Sequence, residues 1–564
     1  MTLYQWFIFF LIIQVVHFIS TWKLYQKAGR KSWEAAIPVY NSIVLMKIIN
    51  RPGWWTILLF IPIINLIMIP VVWVETIRSF GKNTSLDTVL VLFTFGLYIA
   101  YINYTQDVVH IKDRSLVSRT KAGDTVSSLL FAIVVATLVH TYVMQPFTIP
   151  TSSLEKTLLV GDFLFVSKFH YGARTPMTTV ALPMVHDSIP FIHVKSYLSK
   201  PQLPYFRFPG FENAEKNDIV VFNWPNDTVY KFRDRSGKRA DKPLDKRSNY
   251  VKRCVGTPGD TLSIKNGTVF IDGKELALSG RAKVQFDYFV KLKDHNLQLI
   301  LNQNKITEYN PYYTIPNQIW DKPGVKEYFN GSNQLLEVLK DTLFTTVKLQ
   351  SQIDEKTAQQ LNMNIALNAA ELNLTDELAA QLKNNSAVEK IEKIVSPVSK
   401  SVFPHNKERS TDNYGPIYIP EAGKTVALNA ETLPLYKRII EVYEHNDIKV
   451  NGDQISINGA IATSYTFKQD YYWMMGDNRH RSEDSRYWGF VPADHIVGKP
   501  VFIWMSLDPN VPWSKAFDKI RWDRMFTTVG GDDEPYSYFK FFILALVAYF
   551  GISYFMKRKK AQRG

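Results

Sequence analysis

The sequence predicts a mainly β protein that is anchored in a membrane by apolar helices. Three observations predict this fold class. The first 144 residues contain long runs almost without charge. From Gln145 onward, short β-type runs alternate with Gly, Asn, Asp and Pro, and turn dipeptides such as Asn266-Gly267 and Asp272-Gly273 close predicted hairpins. We therefore expect an antiparallel β-sheet domain with an inserted α/β lobe, preceded by about four transmembrane helices and followed by one.

Five apolar runs approach the ~20 residues that a membrane-spanning helix requires. They are Leu3–Ile19, Trp55–Val74 and Val89–Tyr104 in an N-terminal membrane region (residues 1–125), then Ser127–Met144 (within 126–144) and Ser537–Met556. Pro38–Asn50 is shorter and contains Lys47, which favours an interfacial or re-entrant segment. A cleavable signal sequence is an alternative for the first run, but that run lacks a basic n-region and a small-x-small cleavage site.

The basic residues are concentrated between the apolar runs. Thr21–Gly53, Thr105–Thr125 and Lys557–Gly564 hold fifteen Lys/Arg and four Asp/Glu, which is +11 of the formal charge of +14. Because loops rich in Lys and Arg stay in the cytoplasm, five spans place the N-terminus outside, residues 557–564 in the cytoplasm as a basic tail, and Gln145–Pro535 outside. The remaining charge of +3 argues against a nucleic-acid-binding surface.

The extracytoplasmic part is predicted to be a β domain in two pieces, residues 145–283 and 448–530, interrupted by an insertion at 284–447. Strands are predicted at Phe163–Ser167, Ile219–Trp224, Tyr250–Val255, Thr261–Ile264, Val269–Ile271, Ile448–Val450, Gln454–Ile457 and His495–Trp504. Cys254 is the only cysteine, which excludes an intramolecular disulfide, and we expect it to be a small buried strand residue.

The insertion has a different composition. Asn333–Val347 and Thr375–Ile394 are rich in Leu, Ala, Glu, Gln and Lys and are predicted to be helical. Ser351–Asn373 is ambiguous, and Pro397–Tyr414 is a predicted loop. Since the insertion has no pattern typical of a metal, phosphate or paired-carboxylate site, we expect a structural or partner-facing lobe.

The densest group of polar side chains is Gly476–Pro492. The flanking runs Tyr471–Met475 and Tyr487–Val491 are predicted strands, so burial would hold this polar segment at both ends. A plain solvated loop needs no such anchors, and the segment is therefore a candidate functional element.

Two further segments could supply a nucleophile and a base. Pro146 and Pro150 end the fourth apolar helix, and an extended backbone then places the hydroxyls of residues 151–153 near the membrane surface, although an ordinary Ser/Thr-rich linker has the same spacing. Lys252 lies within a strand-like run, where a lysine is commonly solvent-facing or an edge-strand gatekeeper. If it points inward, desolvation lowers its pKa from ~10.4 and yields a neutral amine that can act as a base.

Together these segments resemble the type I signal peptidases, the leader peptidase family of membrane-anchored serine endopeptidases. Four motifs in order carry the resemblance, and they are Ile149–Leu158, Asn217–Phe222, Tyr250–Asp260 and Gly476–Pro492. The resemblance covers roughly residues 145–276 and 449–505. The other apolar runs and the insertion lie outside it.

The resemblance implies a Ser-Lys dyad in which Ser153 is the nucleophile and Lys252 the general base of an acyl-enzyme mechanism. It also implies an oxyanion hole formed by the Ser153 backbone N–H and the Thr151 hydroxyl. Such a mechanism needs no metal and no organic cofactor.

The resemblance further implies roles for the polar tract and for the residues around the dyad. Ser482 would orient Lys252, Asp484 and Arg486 would form a supporting ion pair, and Asp477 with Arg253 a second one. An alternative is that these charges form surface salt bridges of ~0–1 kcal/mol. Shallow apolar subsites for small residues, the Ala-x-Ala pattern of signal sequences, would be lined by Ile149, Pro150, Leu154, Leu158 and Val251.

The nucleophile segment departs from the family pattern at four positions. Where the common pattern has Ser-Gly-Ser-Met and, two residues later, Pro, this chain has Thr151-Ser-Ser-Leu154 and then Lys156. Threonine keeps the hydroxyl and leucine keeps the apolar bulk. Ser152 is a second candidate nucleophile, and we favour Ser153.

The implied function is removal of signal peptides from exported preproteins by a multi-pass enzyme of a bacterial-type inner membrane, with its catalytic domain on the periplasmic side. The implied partners are secretory preproteins, the lipid bilayer and export machinery, and no nucleic acid. A self-cleaving Ser-Lys repressor is opposed by the apolar runs and by the lack of a helix-turn-helix segment. A catalytically silent membrane scaffold would require a broken dyad, whereas every catalytic position is filled.

Overall fold

The computed structural model describes residues 1–117, 120–192, 194–229, 239–294, 296–331, 335–349 and 353–561. Within these residues, three helices are long and apolar enough to cross a membrane, and they are Leu3–Lys27, Lys121–Val143 and Phe539–Met556. They correspond to the first, fourth and fifth predicted spans. The last helix continues to Ala561, and residues 562–564 of the predicted basic tail lie outside the described residues.

The predicted span Trp55–Val74 is not one helix in the structure. It is divided into the helices Trp55–Leu58 and Asn65–Ser79. Arg51 Nη2 lies 2.9 Å from Glu75 Oε2, so the two ends of the segment meet. A crossing would separate those ends by ~30 Å. The segment therefore reverses direction, which hydropathy alone does not reveal.

The predicted span Val89–Tyr104 is also broken. The chain bends by 119° between the helices Ser85–Phe93 and Leu97–Thr105. Gly96 lies between them with φ of 83°, and a Cβ there would come within 2.6 Å of the Trp73 ring. Beyond the two ends, Lys82 Nζ donates to Gln106 Oε1 over 3.1 Å. The described part of the chain thus has three candidate spans, or four if this pair forms one, and not five. The helix Tyr40–Ile48 occupies the predicted interfacial segment.

The β domain is built on an eight-stranded antiparallel sheet. The strand order is Met144–Thr148, Asp162–Ser167, Ile496–Ser506, Ile219–Asn223, Asn249–Gly256, Tyr471–Met475 and Val491–Pro492, with Thr527–Thr528 beside Ile496–Ser506. The membrane helix Lys121–Leu138 passes through one π-helical turn, Val139–Val143, directly into the first strand. The sheet is therefore attached to a candidate membrane span without a linker. Cys254 is buried in it, as predicted.

Smaller sheets pack against an aromatic core that includes Trp473, Phe403 and Phe490. Their strands are Tyr414–Tyr418, Thr261–Lys265, Thr268–Ile271 and Lys274–Glu275, then Ile448–Asn451, Gln454–Ile457 and Ala460–Ile461, and the pair Thr425–Ala427 with Ser464–Thr466. Short helices lie at Leu433–Arg438 and Ala516–Lys519. The predicted strand Tyr487–Val491 is largely wrong, because the helical turn Ser485–Trp488 precedes Val491 and is capped by the Asp484 side chain.

The inserted lobe is dominated by a six-stranded antiparallel sheet. Its strand order is Leu335–Lys340, Phe344–Leu349, Tyr309–Pro316, Asn364–Thr375, Gln285–Leu292 and Val388–Lys393. Its helices are Leu297–Gln303, Asn317–Trp320, Val325–Gly331, Glu355–Gln360 and Asp376–Lys383.

Two helix predictions in the lobe are wrong. The described part of Asn333–Val347 forms strands, and residues 333 and 334 lie outside the described residues. In Thr375–Ile394 only Asp376–Lys383 is helical. Helix propensity is a weak preference that strand pairing overrides. The strand Tyr414–Tyr418 pairs with Thr261–Lys265, so the end of the predicted insertion joins the β domain.

Candidate active site

The nucleophile segment forms one turn beside the main sheet. Strand Met144–Thr148 is followed by an extended stretch and then by the 3₁₀ turn Ser152–Leu154. Leu154 and Leu158 are buried in an apolar cluster, which holds the turn against the sheet. Ser153 is only 6% exposed. Thr151 directly precedes the turn and is half-buried.

Lys252 lies in an inner strand of the main sheet. It pairs in register with Val220, and the next residues of its strand pair with Tyr471–Met475 on the other side. The side chain is 3% exposed. Its Nζ lies 2.6 Å from the Ser153 Oγ. The structure therefore brings the two predicted dyad residues into contact from positions 99 residues apart.

Burial lowers the pKa of Lys252 to about 8. The negative charges of Asp484 and Glu483 oppose this shift, and the positive charge of Arg486 assists it. With a pKa of about 8, roughly a tenth of the amine is neutral at pH 7, compared with less than ~0.1% for an ordinary lysine. The site can therefore supply a base near neutral pH.

Asp484 and Arg486 form a buried ion pair close to Lys252. Arg486 Nε donates to Asp484 Oδ1 and Nη2 to Oδ2, both over 2.8 Å. The Gly476 N–H donates to the same carboxylate over 3.1 Å. Burial disfavours ionisation of Asp484, but the charge and hydrogen bonds of Arg486 hold its pKa below the usual value. The alternative of a weak surface salt bridge does not apply to this pair.

Arg253 and Asp477 form a second buried pair. Arg253 Nε donates to Asp477 Oδ1 over 2.7 Å and Nη2 to Oδ2 over 2.6 Å. The Thr157 hydroxyl donates to Asp477 Oδ2 over 2.7 Å. This pair therefore connects the strand of Lys252, the polar tract and the segment that carries Ser153.

Ser482 is buried beside this network, but it does not form the predicted hydrogen bond to Lys252. No atom of the described residues lies in hydrogen-bonding geometry with the Ser482 hydroxyl. The hydroxyl nevertheless helps to lower the pKa of the Asp484 carboxyl. A Cβ at Gly476 would come within 2.3 Å of Ser482 Oγ and 2.5 Å of the Ser153 carbonyl. Only glycine permits the polar tract to pack this closely on the nucleophile turn.

The predicted subsite residues are partly assembled. Ile149, Leu154 and Leu158 are buried in one apolar cluster, and Val251 packs against it. Pro150 is exposed. The cluster also contains Leu164, Val166, Ile219, Val221, Val497, Ile503 and Val529.

Sequence reasoning missed two residues of the polar tract. The backbone N–H of Asn478 donates to the Ser153 carbonyl over 3.1 Å. The His480 ring accepts at Nδ1 from the Asp287 N–H over 3.0 Å, and its Nε2 lies 2.9 Å from Asp412 Oδ2. The only available signal was their place in Gly476–Pro492, because the residue types do not reveal partners in a distant insertion.

Two family models match parts of the chain. The family model described as signal peptidase, peptidase S26, matches residues 122–318 and 402–505, together just over half of the chain. Residues 33–113 match a family of unknown function (DUF5684).

Curated relatives carry the name Signal peptidase I. The protein from Buchnera aphidicola subsp. Baizongia pistaciae is 24% identical over 421 residues, which cover 74% of this chain and 87% of the relative. The protein from Haemophilus influenzae is 28% identical over 425 residues, which cover 73% and 76%. That from Rickettsia typhi is 28% identical over 161 residues, which cover 28% and 47%. The chain belongs to the signal peptidase, peptidase S26, family and is a serine peptidase.

Proposed function

We propose that this protein removes N-terminal signal peptides from exported preproteins, with Ser153 as nucleophile and Lys252 as general base. The observation that carries the proposal is the buried 2.6 Å contact between Lys252 Nζ and Ser153 Oγ. The name Signal peptidase I of the relatives supports the substrate class.

The chemistry follows from a neutral Lys252. Its amine accepts the Ser153 hydroxyl proton as Oγ attacks the carbonyl carbon of the scissile bond. The resulting ammonium then donates this proton to the leaving amine, and the C–N bond breaks to give an acyl-enzyme. Lys252 next takes a proton from water as the water oxygen attacks the ester carbon, and the ammonium returns this proton to Ser153 Oγ as the ester C–O bond breaks, which restores both residues.

The nearby groups support stabilisation of the intermediate and selection of the substrate. The Ser153 N–H and the Thr151 hydroxyl are the proposed donors to the oxyanion, and losing one such donor costs ~10²–10³ in rate. The apolar cluster around Ile149, Leu154 and Leu158 supports shallow subsites for small residues, with Pro150 and Val251 at their edges. Since burying one methyl contributes only ~1 kcal/mol, exclusion of larger side chains would give the Ala-x-Ala preference.

The proposed location is a bacterial-type cytoplasmic membrane, with the β domain on the periplasmic side. Three spans, like five, place the N- and C-termini on opposite sides, so the positive-inside orientation is kept. A tethered enzyme acting on a tethered preprotein gains effective concentration. We therefore expect membrane-bound preproteins to be cleaved better than short soluble peptides. Export machinery remains a proposed partner.

The test compares wild type, Ser153→Ala, Lys252→Ala and Ser152→Ala in membranes with a preprotein. We expect both dyad variants to lose at least ~10³-fold in rate, because nucleophile and base act as a unit. Ser152→Ala is the matched control and should retain cleavage. Cleavage by either dyad variant at the wild-type rate would contradict the dyad, and loss in Ser152→Ala alone would move the nucleophile to Ser152. No cleavage by wild type on several preproteins would favour the scaffold alternative.

A further inference from the structure

Asn478 connects the nucleophile turn to the rest of the molecule. Its backbone N–H donates to the Ser153 carbonyl over 3.1 Å, and its Nδ2 donates to the Ser152 carbonyl over 3.2 Å. Asn478 is 0% exposed. One buried residue therefore binds two consecutive carbonyls at the turn that carries the Ser153 hydroxyl.

The other bonds of the Asn478 amide go to the inserted lobe. Its Nδ2 also donates to Glu308 Oε2 over 2.9 Å, and its Oδ1 accepts from Asn373 Nδ2 over 2.9 Å. Both hydrogens of the amide and its oxygen are thus engaged, and this pattern fixes the orientation of the group. The lobe therefore determines how Asn478 faces the turn.

Gln285, the first residue of the lobe sheet, adds a second connection. Its N–H donates to the Asp477 carbonyl over 2.8 Å, and its Nε2 donates to the Glu155 carbonyl over 3.1 Å. Gln285 is fully buried. The carbonyls of residues 152, 153 and 155 are therefore all held by the polar tract or by the lobe.

We infer that the inserted lobe positions the nucleophile, with Asn478 as the positioning residue and Glu308 and Asn373 as the groups that orient it. This inference rests on the proposed function of the Ser153 and Lys252 pair. A turn of three residues has few internal hydrogen bonds, so its position depends on outside contacts. Because a misplacement of ~1 Å can cost ~10² in rate, we expect the loss of these contacts to lower kcat.

If Asn478 only attached the lobe to the β domain and did not position the nucleophile, its substitution would change the pH dependence of the reaction. Loosening the attachment would admit water to the buried site and raise the pKa of Lys252 toward its usual value. Loss of positioning alone would lower kcat and leave the pH dependence unchanged, because none of the hydrogen bonds between Asn478 and the other described residues goes to Lys252. The shape of the pH profile therefore separates the two roles.

The experiment uses the full-length protein in lipid vesicles with a membrane-bound preprotein, and measures kcat, KM and the pH dependence of kcat/KM. For Asn478→Ala we expect kcat to fall ~10²-fold, with KM and the pH midpoint unchanged. Asn310→Ala is the matched control, because Asn310 lies two residues from Glu308 and its amide bonds to Glu371 within the lobe. This control should retain wild-type kcat.

Glu308→Ala and Glu308→Gln keep the inference testable if Asn478→Ala does not fold. Both remove the charge of Glu308, but only the alanine removes the acceptor for Asn478. We expect Glu308→Ala to lower kcat several-fold and Glu308→Gln to remain near wild type.

Three results would overturn the inference. They are wild-type kcat in Asn478→Ala, an equal loss in Glu308→Ala and Glu308→Gln, and a loss in Asn478→Ala that comes with an upward shift of the pH midpoint. Failure of wild type itself to cleave would instead refute the proposed function, and the inference with it.

Discussion

The two members of the Ser153 and Lys252 pair are held in different ways. Lys252 lies in a strand that is paired on both sides within the main sheet, with the buried ions Asp484 and Arg486 nearby. Ser153 lies on a single 3₁₀ turn in which Asn478 donates to two carbonyls, and Gln285 donates to the carbonyl of Glu155 directly after the turn. The lysine side, which is the strand of Lys252 with Asp484 and Arg486, is thus held by strand pairing and surrounded by charge. The serine side, which is the turn of Ser153 with Glu155, is held by hydrogen bonds to neutral backbone groups.

This difference separates two properties of a general-base mechanism. Burial and nearby charges determine how much of Lys252 is neutral, and backbone hydrogen bonds determine where the Ser153 hydroxyl lies. Changes on the lysine side should therefore shift the pH dependence of kcat/KM or remove a buried charge pair. Changes on the serine side should leave the pH midpoint of kcat/KM in place, whatever they do to the rate or to stability. Four predictions test this division.

The largest expected effect is unfolding by Asp484→Asn. The substitution leaves the buried Arg486 guanidinium without its counter-charge, and breaking such a pair costs ~3–5 kcal/mol. Denaturant or thermal unfolding measures the loss. Asp321→Asn is the control, because Asp321 pairs with Lys340 on the surface and such pairs contribute ~0–1 kcal/mol. Equal free energies of unfolding for the two variants would show that the buried pair stabilises the fold no more than a surface pair does.

Gly476→Ala tests the place where the two sides meet. The new methyl would lie 2.5 Å from the Ser153 carbonyl and 2.3 Å from Ser482 Oγ, so the turn and the tract must move apart. We expect kcat to fall by ~10² or more at every pH. Gly530→Ala should have no such effect, since no atom of the described residues lies within 4 Å of its added Cβ. A Gly476→Ala enzyme with wild-type kcat would contradict the close packing of tract and turn.

The pH profile tests the lysine side directly. With the neutral amine as the active form, kcat/KM should rise with pH and be half-maximal near the Lys252 pKa of about 8. Glu483 favours the ammonium, so Glu483→Gln should move this midpoint to lower pH. A downward shift of less than one unit would raise the rate at pH 7 by less than ~10-fold. An upward shift, or a rate without pH dependence, would contradict Lys252 as the base.

The smallest effect concerns Glu155 on the serine side. Burial and the nearby Glu308 raise its pKa to about 7, so the native state binds this proton more tightly than the unfolded state. Its contribution to stability is complete below the unfolded pKa of ~4.3 and is lost as pH rises through about 7. Glu155→Gln should therefore flatten the fall of stability between about pH 4 and pH 7, as measured by denaturant unfolding. The pH midpoint of kcat/KM should stay in place. A shift of that midpoint would show that Glu155 also influences the pKa of Lys252.

Local patterns predicted much of the β domain. The strand Tyr471–Met475 has its predicted bounds, and Phe163–Ser167 and Gln454–Ile457 differ by at most one residue. At the turns 266–267 and 272–273 both residues have positive φ, as Asn-Gly and Asp-Gly hairpins require. Apolar alternation and turn residues act over a few positions, so a sequence can reveal them. The partners of Asn478, which lie 105 and 170 residues away, left no such signal.

The sequence by itself determined the three long apolar helices, the hairpins and the residues of the candidate dyad, because hydropathy, turn chemistry and ordered motifs are local properties. Only the tertiary structure decided that residues 55–74 reverse so that Arg51 meets Glu75, that most of 335–349 forms strands, and that Ser482 makes no bond to Lys252. The lowered pKa of Lys252 likewise depends on the burial of its side chain, which the tertiary structure decides. These outcomes depend on which distant groups meet and exclude water, and composition and spacing do not contain that information.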